Sequence, residues 1–215
     1  MTIEYRMTRN PVTIGPEASI VEAKDIMKKN KVHRLPVLDG QKTLVGIISE
    51  KDILYASPSP ASTLSIHEMA YLLSKLTVRK LMTKDPVTVR KDIPVEEAAR
   101  IMADEDLSSL PVVDEAGQLV GIVSKSDLFK ILIDLFGARS LGVRVSFMVE
   151  EQAGKIADVS KVLSDAGYDI IAFGTFSGTD LTNRICTVKV FTTELDKVKA
   201  LLEPHVKKIM DIRIA

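Results

Sequence analysis

The chain of 215 residues sets 29 lysines and arginines against 29 aspartates and glutamates, a formal charge of zero. That balance leaves no basic field for nucleic acid, and the length suits one or two domains with cores of their own. The single cysteine, Cys186, has no disulfide partner, the first residues lack a signal-peptide core, and no apolar run reaches the roughly 18 residues of a membrane helix, so a cytoplasmic protein without membrane contact is expected.

The first segment carries Met7-Thr8 and then Pro11-Val12-Thr13-Ile14, where the Pro-Val-Thr run predicts a strand start. Ile20, Ala23, Ile26 and Met27 recur three to four apart, as on the apolar face of a helix, with Ser19 at its N-cap position. Leu35–Leu38 and Leu44–Ile48, separated by the turn Asp39-Gly40, predict short strands covered by helices. A second helix opens at Ser49 and runs into Ile53-Leu54. Ser57-Pro58-Ser59-Pro60 is a stiff polar break, and Ile66, Met69, Leu73 and Leu76 then fall on one stripe of a linker helix. His67-Glu68 lacks the second histidine that a zinc-binding helix needs.

From Met82 the segment repeats at a gap-free offset of 75: Met82-Thr83, Pro86-Val87-Thr88, Leu110-Pro111-Val112 and Gly121-Ile122-Val123-Ser124 with Asp127. Pro94 stands where the first copy has Ser19, and Val95, Ala98, Ile101 and Met102 repeat the helix stripe. Each copy reads β-α-β-β-α and is too small to bury much core alone. Two copies packed about a pseudo-two-fold axis form one unit with two equivalent clefts.

Past Gly137 the pattern changes. Leu141–Val149 alternates like a half-exposed strand, and Ile156, Val159, Val162 and Leu163 make a helix stripe closed by Ala166-Gly167. Ile170–Phe176 and Arg184–Phe191 read as strands, Leu195–Leu202 as a helix and Ile209–Ile214 as a last strand. The order β-α-β-β-α-β is ferredoxin-like, and the fold class of the whole chain is α+β.

Little here suggests catalysis. The three histidines (33, 67, 205) are scattered, and neither a metal set nor a phosphate-cradling glycine loop is present, so a protein without catalytic residues, metal or required cofactor is expected. The repeated Gly-x-x-Ser-x-x-Asp is the strongest local feature. Ser49 and Ser124 are N-caps, and Asp52 and Asp127 complete capping boxes. The same turn offers backbone N–H groups to an anion, and a carboxylate there can accept both hydroxyls of a ribose. Capping does not require Gly46 or Gly121, which instead allow another group to approach the strand closely.

These motifs, twice over in the same order, resemble a tandem of cystathionine-β-synthase-type (CBS) domains over residues 1–56 and 77–136, joined by a linker at 57–76. Such pairs form disc-like modules whose clefts bind adenosine-containing ligands: AMP, ADP, ATP or S-adenosylmethionine. The resemblance implies that Asp52 and Asp127 hold ribose and that Ser49 and Ser124 face ribose or phosphate. It also implies a base pocket lined around Thr13-Ile14 and Thr88-Val89, and ligand-binding positions at Pro36 and Pro111 of the Leu-Pro-Val strands. His33-Arg34 matches a pair that reaches phosphates in nucleotide-sensing members, whereas the second copy has Ser108-Ser109. Two clefts of one shape and two electrical characters are expected; which of them His33-Arg34 faces is left open.

Residues 141–215 resemble ACT domains, which bind amino acids or serve as dimerisation surfaces. Glu151-Gln152-Ala153-Gly154 stands where those domains often carry Asp-x-Pro-Gly, and Gly167-Tyr168-Asp169-Ile170 where they carry Gly-x-Asn-Ile. The resemblance implies an ACT ligand site at Glu151, Gly154 and Asp169. The whole order resembles the bacterial acetoin-utilisation AcuB family. That implies a non-catalytic regulatory homodimer, linked to acetoin or acetate metabolism, that senses an adenine nucleotide and acts through the ACT-like domain or a protein partner. The alternative is an amino-acid effector sensor, with the ACT-like domain as receptor and the CBS pair as scaffold.

Overall fold

The computed structural model describes residues 1–56, 71, 73 and 75–215. They divide into two compact units, Met1–Leu128 and Phe129–Ala215. No helix among the described residues is long and apolar enough to cross a membrane.

The first unit opens with a 3-10 turn at Ile3–Tyr5 and β1 (Thr8–Arg9), then α1 (Ile20–Asn30), β2 (Arg34–Leu38), β3 (Leu44–Ser49) and α2 (Glu50–Ala56). The Ser57–Pro60 break and His67-Glu68 lie outside the described residues; Leu73 and Leu76 of the linker stripe pack against the first core. α3 (Val78–Leu81) and β4 (Thr83–Lys84) lead into β5 (Val89–Arg90), α4 (Val95–Asp104), β6 (Ser109–Val113), β7 (Leu119–Ser124) and α5 (Lys125–Leu135). Ser19 caps α1 by accepting the Glu22 N–H at 3.1 Å. Pro94 offers α4 no such acceptor; Glu96 and Glu97 in the first turn favour its positive end instead.

The two copies exchange their leading segments. One sheet runs β2-β3-β4 and the other β1-β7-β6-β5, so Thr83 pairs with Ile47 of the first copy and Thr8 with Ile122 of the second. Ile3, fully buried, belongs to the second copy's core, and its N–H bonds the Ile93 carbonyl at 3.0 Å. Its repeat equivalent Val78, also fully buried, belongs to the first core and bonds the Ala18 carbonyl at 2.9 Å. Gly46 and Gly121 are what admit these strands. A Cβ on Gly46 would stand 2.9 Å from the Thr83 carbonyl oxygen, and one on Gly121 would stand 3.1 Å from that of Thr8.

The chain turns from one copy to the other at Asn10 (φ 47°) and Asp85 (φ 46°), residue types that tolerate the left-handed region. The Pro-Val-Thr segments form less strand than their sequence predicts. Proline has no N–H to give a ladder, so the first copy keeps only an Ile14–Val37 bridge and the second only the two residues of β5.

The second unit contains β8 (Val143–Glu150), α6 (Lys155–Asp165), β9 (Ile170–Ser177), β10 (Asn183–Val190), α7 (Leu195–Leu202) and β11 (Lys208–Ile214). Its sheet runs β11-β8-β10-β9 with every neighbour antiparallel. Val159, Leu163, Val198 and Leu202 of the two helices pack on one face, against the alternating inward residues of β8 and β10. On the opposite face Thr187 and Lys189 are buried as well. Lys189 Nζ donates to the Gly137 carbonyl at 3.0 Å, and the Phe136 ring stacks on Phe176 with centroids 6.0 Å apart. The residues that follow α5 therefore lie against the back of this sheet.

Candidate functional site

At the end of β3 the chain turns into α2, and Ser49 and Asp52 lock that turn. Asp52 Oδ2 accepts the Ser49 N–H at 2.8 Å and the Ser49 hydroxyl at 2.7 Å, while the Asp52 N–H reaches Ser49 Oγ at 3.3 Å. The second copy repeats the lock: Asp127 Oδ2 accepts the Ser124 N–H at 3.0 Å and its hydroxyl at 2.7 Å. Both are capping boxes, in which one carboxylate satisfies an otherwise orphaned donor. In the first copy Asp52 Oδ1 carries no hydrogen bond among the described residues, and its carboxylate borders a cavity.

That cavity, about 280 Å³, is built from both copies. The first contributes Arg34, Ile47, Ser49, Lys51 and Asp52. The second supplies an apolar wall around Pro86, Val87, Leu107 and Pro111, and a polar rim of Thr83, Asp85, Asp106, Ser108 and Ser109. The Arg34 guanidinium donates to Ser108 Oγ across the cleft. An apolar slot bordered by the carboxylates of Asp52, Asp85 and Asp106, the hydroxyls of Ser49, Thr83, Ser108 and Ser109, the Lys51 ammonium and the Arg34 guanidinium can hold a flat heterocycle bearing a diol and an anionic group.

Of the residues singled out in the sequence, Arg34, Ser49, Asp52, Ser108, Ser109 and Pro111 meet in this cavity. His33 does not line it; its Nδ1 lies 2.8 Å from Glu50 Oε2, and the ring is exposed. Thr88 and Val89 do not line it either, and Val89 is buried in the second core as Ile14 is in the first. Val89 turns inward while Thr88 is exposed, and Pro86-Val87, two positions earlier, lines the cleft. Ile47, Lys51, Thr83, Asp85, Pro86, Val87, Asp106 and Leu107 also line it, and sequence reasoning places none of them at the site. Asp85 and Asp106 have positive φ, as do their repeat equivalents Asn10 and Lys31.

Ser124 and Asp127 belong to the equivalent cleft of the second copy. There β1 lies beside β7 as β4 lies beside β3, and Ser109 stands opposite Ser124 as Arg34 stands opposite Ser49. At the 75-residue offset Thr8–Val12 and Lys31–Pro36, with His33 and Pro36 among them, are the equivalents of the second-copy segments that line the first cavity.

In the second unit Glu151 and Gly154 line a cavity of about 340 Å³ at the β8–α6 turn, with Lys155 and Ile156. Arg184 spans it to Glu151 by two hydrogen bonds of 2.7 and 2.8 Å, and that partner raises the Arg184 pKa above its usual value. Asp169 is not part of this cavity. Its carbonyl accepts the Phe191 N–H where β9 begins and β10 ends, whereas Glu151 follows the residue paired with the first residue of β10. Among the described residues no group of three or more His, Cys, Asp or Glu side chains could hold a metal ion.

Comparison with known proteins gives this site its context. The family model for the CBS domain matches residues 3–59 and again 78–134. The chain is 37% identical over 126 residues to the inosine-5'-monophosphate dehydrogenase of Korarchaeum cryptofilum, and the match spans 59% of this chain but 23% of that enzyme. Among solved structures, CBSX2 in complex with AMP is 32% identical, with a TM-score of 0.51 over 61% of this chain and 96% of that one. The CBS domain pair of protein MJ0100, in complex with 5'-methylthioadenosine and S-adenosyl-L-methionine, is 29% identical, with a TM-score of 0.52 over 65% and 98%. A putative acetoin utilization protein (AcuB) from Vibrio cholerae is also 29% identical, with a TM-score of 0.52 over 65% and 95%.

Proposed function

The chain belongs to the CBS-domain family, and from that premise we propose that it is a non-catalytic regulatory protein that binds an adenosine-bearing ligand between its two CBS copies. The observation that carries this reading is the Asp52 carboxylate. One of its oxygens holds the Ser49 turn, and the other is left for a ribose diol at the edge of an apolar cavity. Arg34, Ser49 and Ser108 supply the phosphate side, since a guanidinium fork matches a phosphate oxygen pair. Pro86, Val87, Leu107 and Pro111 supply an apolar slot for adenine. The AMP of CBSX2 and the two adenosyl ligands of the MJ0100 pair support the same ligand class for this chain.

The response passes to the C-terminal unit, which we read as an ACT-type domain from its β-α-β-β-α-β order and antiparallel sheet. α5 begins at the Ser124–Asp127 lock, and the residues that follow it are held by Lys189 and Phe176. A ligand shifts such a pair only by its differential affinity for two arrangements. The exposed side chains of Phe129, Leu132 and Leu135 on α5 support a homodimer, and the likeness to AcuB supports a role in acetoin or acetate metabolism. An amino-acid effector is the second reading, favoured by the cavity at Glu151 and Gly154.

Thermal-shift titration with AMP, ATP and a set of amino acids separates the two, because only a ligand of the native state raises the unfolding midpoint with concentration. A rise with adenine nucleotides supports the first reading. A rise with an amino acid alone replaces it with the second.

A further inference from the structure

Every residue lining the cleft of Asp52 comes from a position that serves that cleft once, with one exception. Arg34 and Ser109 are repeat equivalents, 75 residues apart, and both line the same cavity. A pseudo-two-fold operation exchanges the two copies and the two clefts. A position whose two members both border one cleft must therefore lie beside the axis and border the other cleft too. The strand register agrees, with Arg34 opposite Ser49 and Ser109 opposite Ser124 at corresponding places in the two sheets. The wall between the clefts thus has one guanidinium where strict symmetry would give two. It reaches from the first copy to Ser108 of the second, and the nearly buried Ser109 is too short to reciprocate.

Of the other basic groups that the repeat brings near a cleft, His33, the equivalent of Ser108, lies 2.8 Å from Glu50 Oε2, and two lysines differ from Arg34 in kind. Lys51 is exposed with its ammonium 5.4 Å from the Tyr55 ring centre, and its equivalent is Ser126. Lys31 ends α1, and its equivalent is Asp106, paired with Lys125 at 3.5 Å. An ammonium is a point charge on a flexible stem, whereas a guanidinium is a planar fork that fixes two phosphate oxygens.

We propose that Arg34 is a single phosphate anchor shared by both clefts, so that one chain holds one phosphate-bearing adenosyl ligand at a time while the other cleft accepts an adenosyl ligand without phosphate. The proposal rests on the adenosyl-binding reading above. It makes the clefts negatively coupled for nucleotides and uncoupled for nucleosides, because a second phosphate would meet the same wall with its only fork engaged.

The test is the stoichiometry and affinity of AMP and of adenosine, measured by calorimetry and native mass spectrometry on the full chain. Wild type is expected to bind one AMP and two adenosines per chain, and Arg34→Ser to bind AMP no more tightly than adenosine. Ser109→Arg restores the missing fork and is expected to bind two AMP. Two AMP of equal affinity per wild-type chain, or an unchanged AMP affinity in Arg34→Ser, overturns the shared anchor while leaving adenosyl binding intact. Absence of binding by both AMP and adenosine overturns the underlying reading as well.

Discussion

Asp52 grips Ser49 twice through the same oxygen, Oδ2, at 2.8 Å to the amide and 2.7 Å to the hydroxyl. The arrangement is both a helix cap and a way of aiming the other oxygen, so stability and binding separate under substitution. Asp52→Ala is expected to cost about 1 kcal/mol of stability through the lost cap. Asp52→Asn keeps an acceptor toward the Ser49 amide and is expected to cost less. Urea unfolding of the two variants measures the difference, and equal losses would contradict the capping account.

The exchanged strands need the two glycines. Gly121→Ala sets a methyl against Met7 and the Thr8 carbonyl and is expected to destabilise by roughly 1–3 kcal/mol, as overpacking does. Gly40→Ala is the control, because a Cβ there meets nothing within 4 Å. Chemical denaturation of both variants tests this; a Gly121→Ala protein as stable as the control would remove the stated reason for glycine.

The exchange marks where sequence reading stopped. The two helices with their caps, the paired strands of each copy and the order of the C-terminal elements were legible because they depend on local spacing. Thr8 and Thr83 were not, because the edges of β3 and β7 carry almost the same sequence, and spacing alone cannot say which copy a leading strand joins. Which residues of the Pro-Val-Thr segments border the cavity was not legible for a related reason: Pro86 and Val87 line it, and Thr88 and Val89 do not. A short apolar run does not reveal which residues face the core, and Ile14 and Val89 face it. Lys189 was hidden too: it alternates like a solvent-facing residue, yet the segment after α5 buries it.

Lys189 yields its own prediction. Lys189→Ala removes the donor to the Gly137 carbonyl inside a buried contact, an expected loss of about 1–3 kcal/mol. Urea unfolding measures it, with the exposed Lys161→Ala as reference. Equal midpoints for the two variants would show that the Gly137 contact contributes nothing.

Cys186 is buried in the C-terminal sheet, and burial pushes its thiol pKa up. The native protein is therefore expected to resist Ellman's reagent at mildly alkaline pH and to react on unfolding. A raised folded-state pKa also means that its stabilising contribution is full at neutral pH and declines as alkalinity ionises the thiol in the unfolded chain. Rapid labelling of native protein would contradict this.

The central claim is that an adenosine-bearing ligand sits between the copies with its ribose on Asp52 or Asp127. Calorimetric titration of AMP into wild type, Asp52→Ala and Asp127→Ala tests it most directly. The account predicts binding to wild type and a loss of roughly 10–100-fold in the variant whose cleft is occupied, the worth of hydrogen bonds to a charged acceptor. An AMP affinity unchanged in both variants would contradict it.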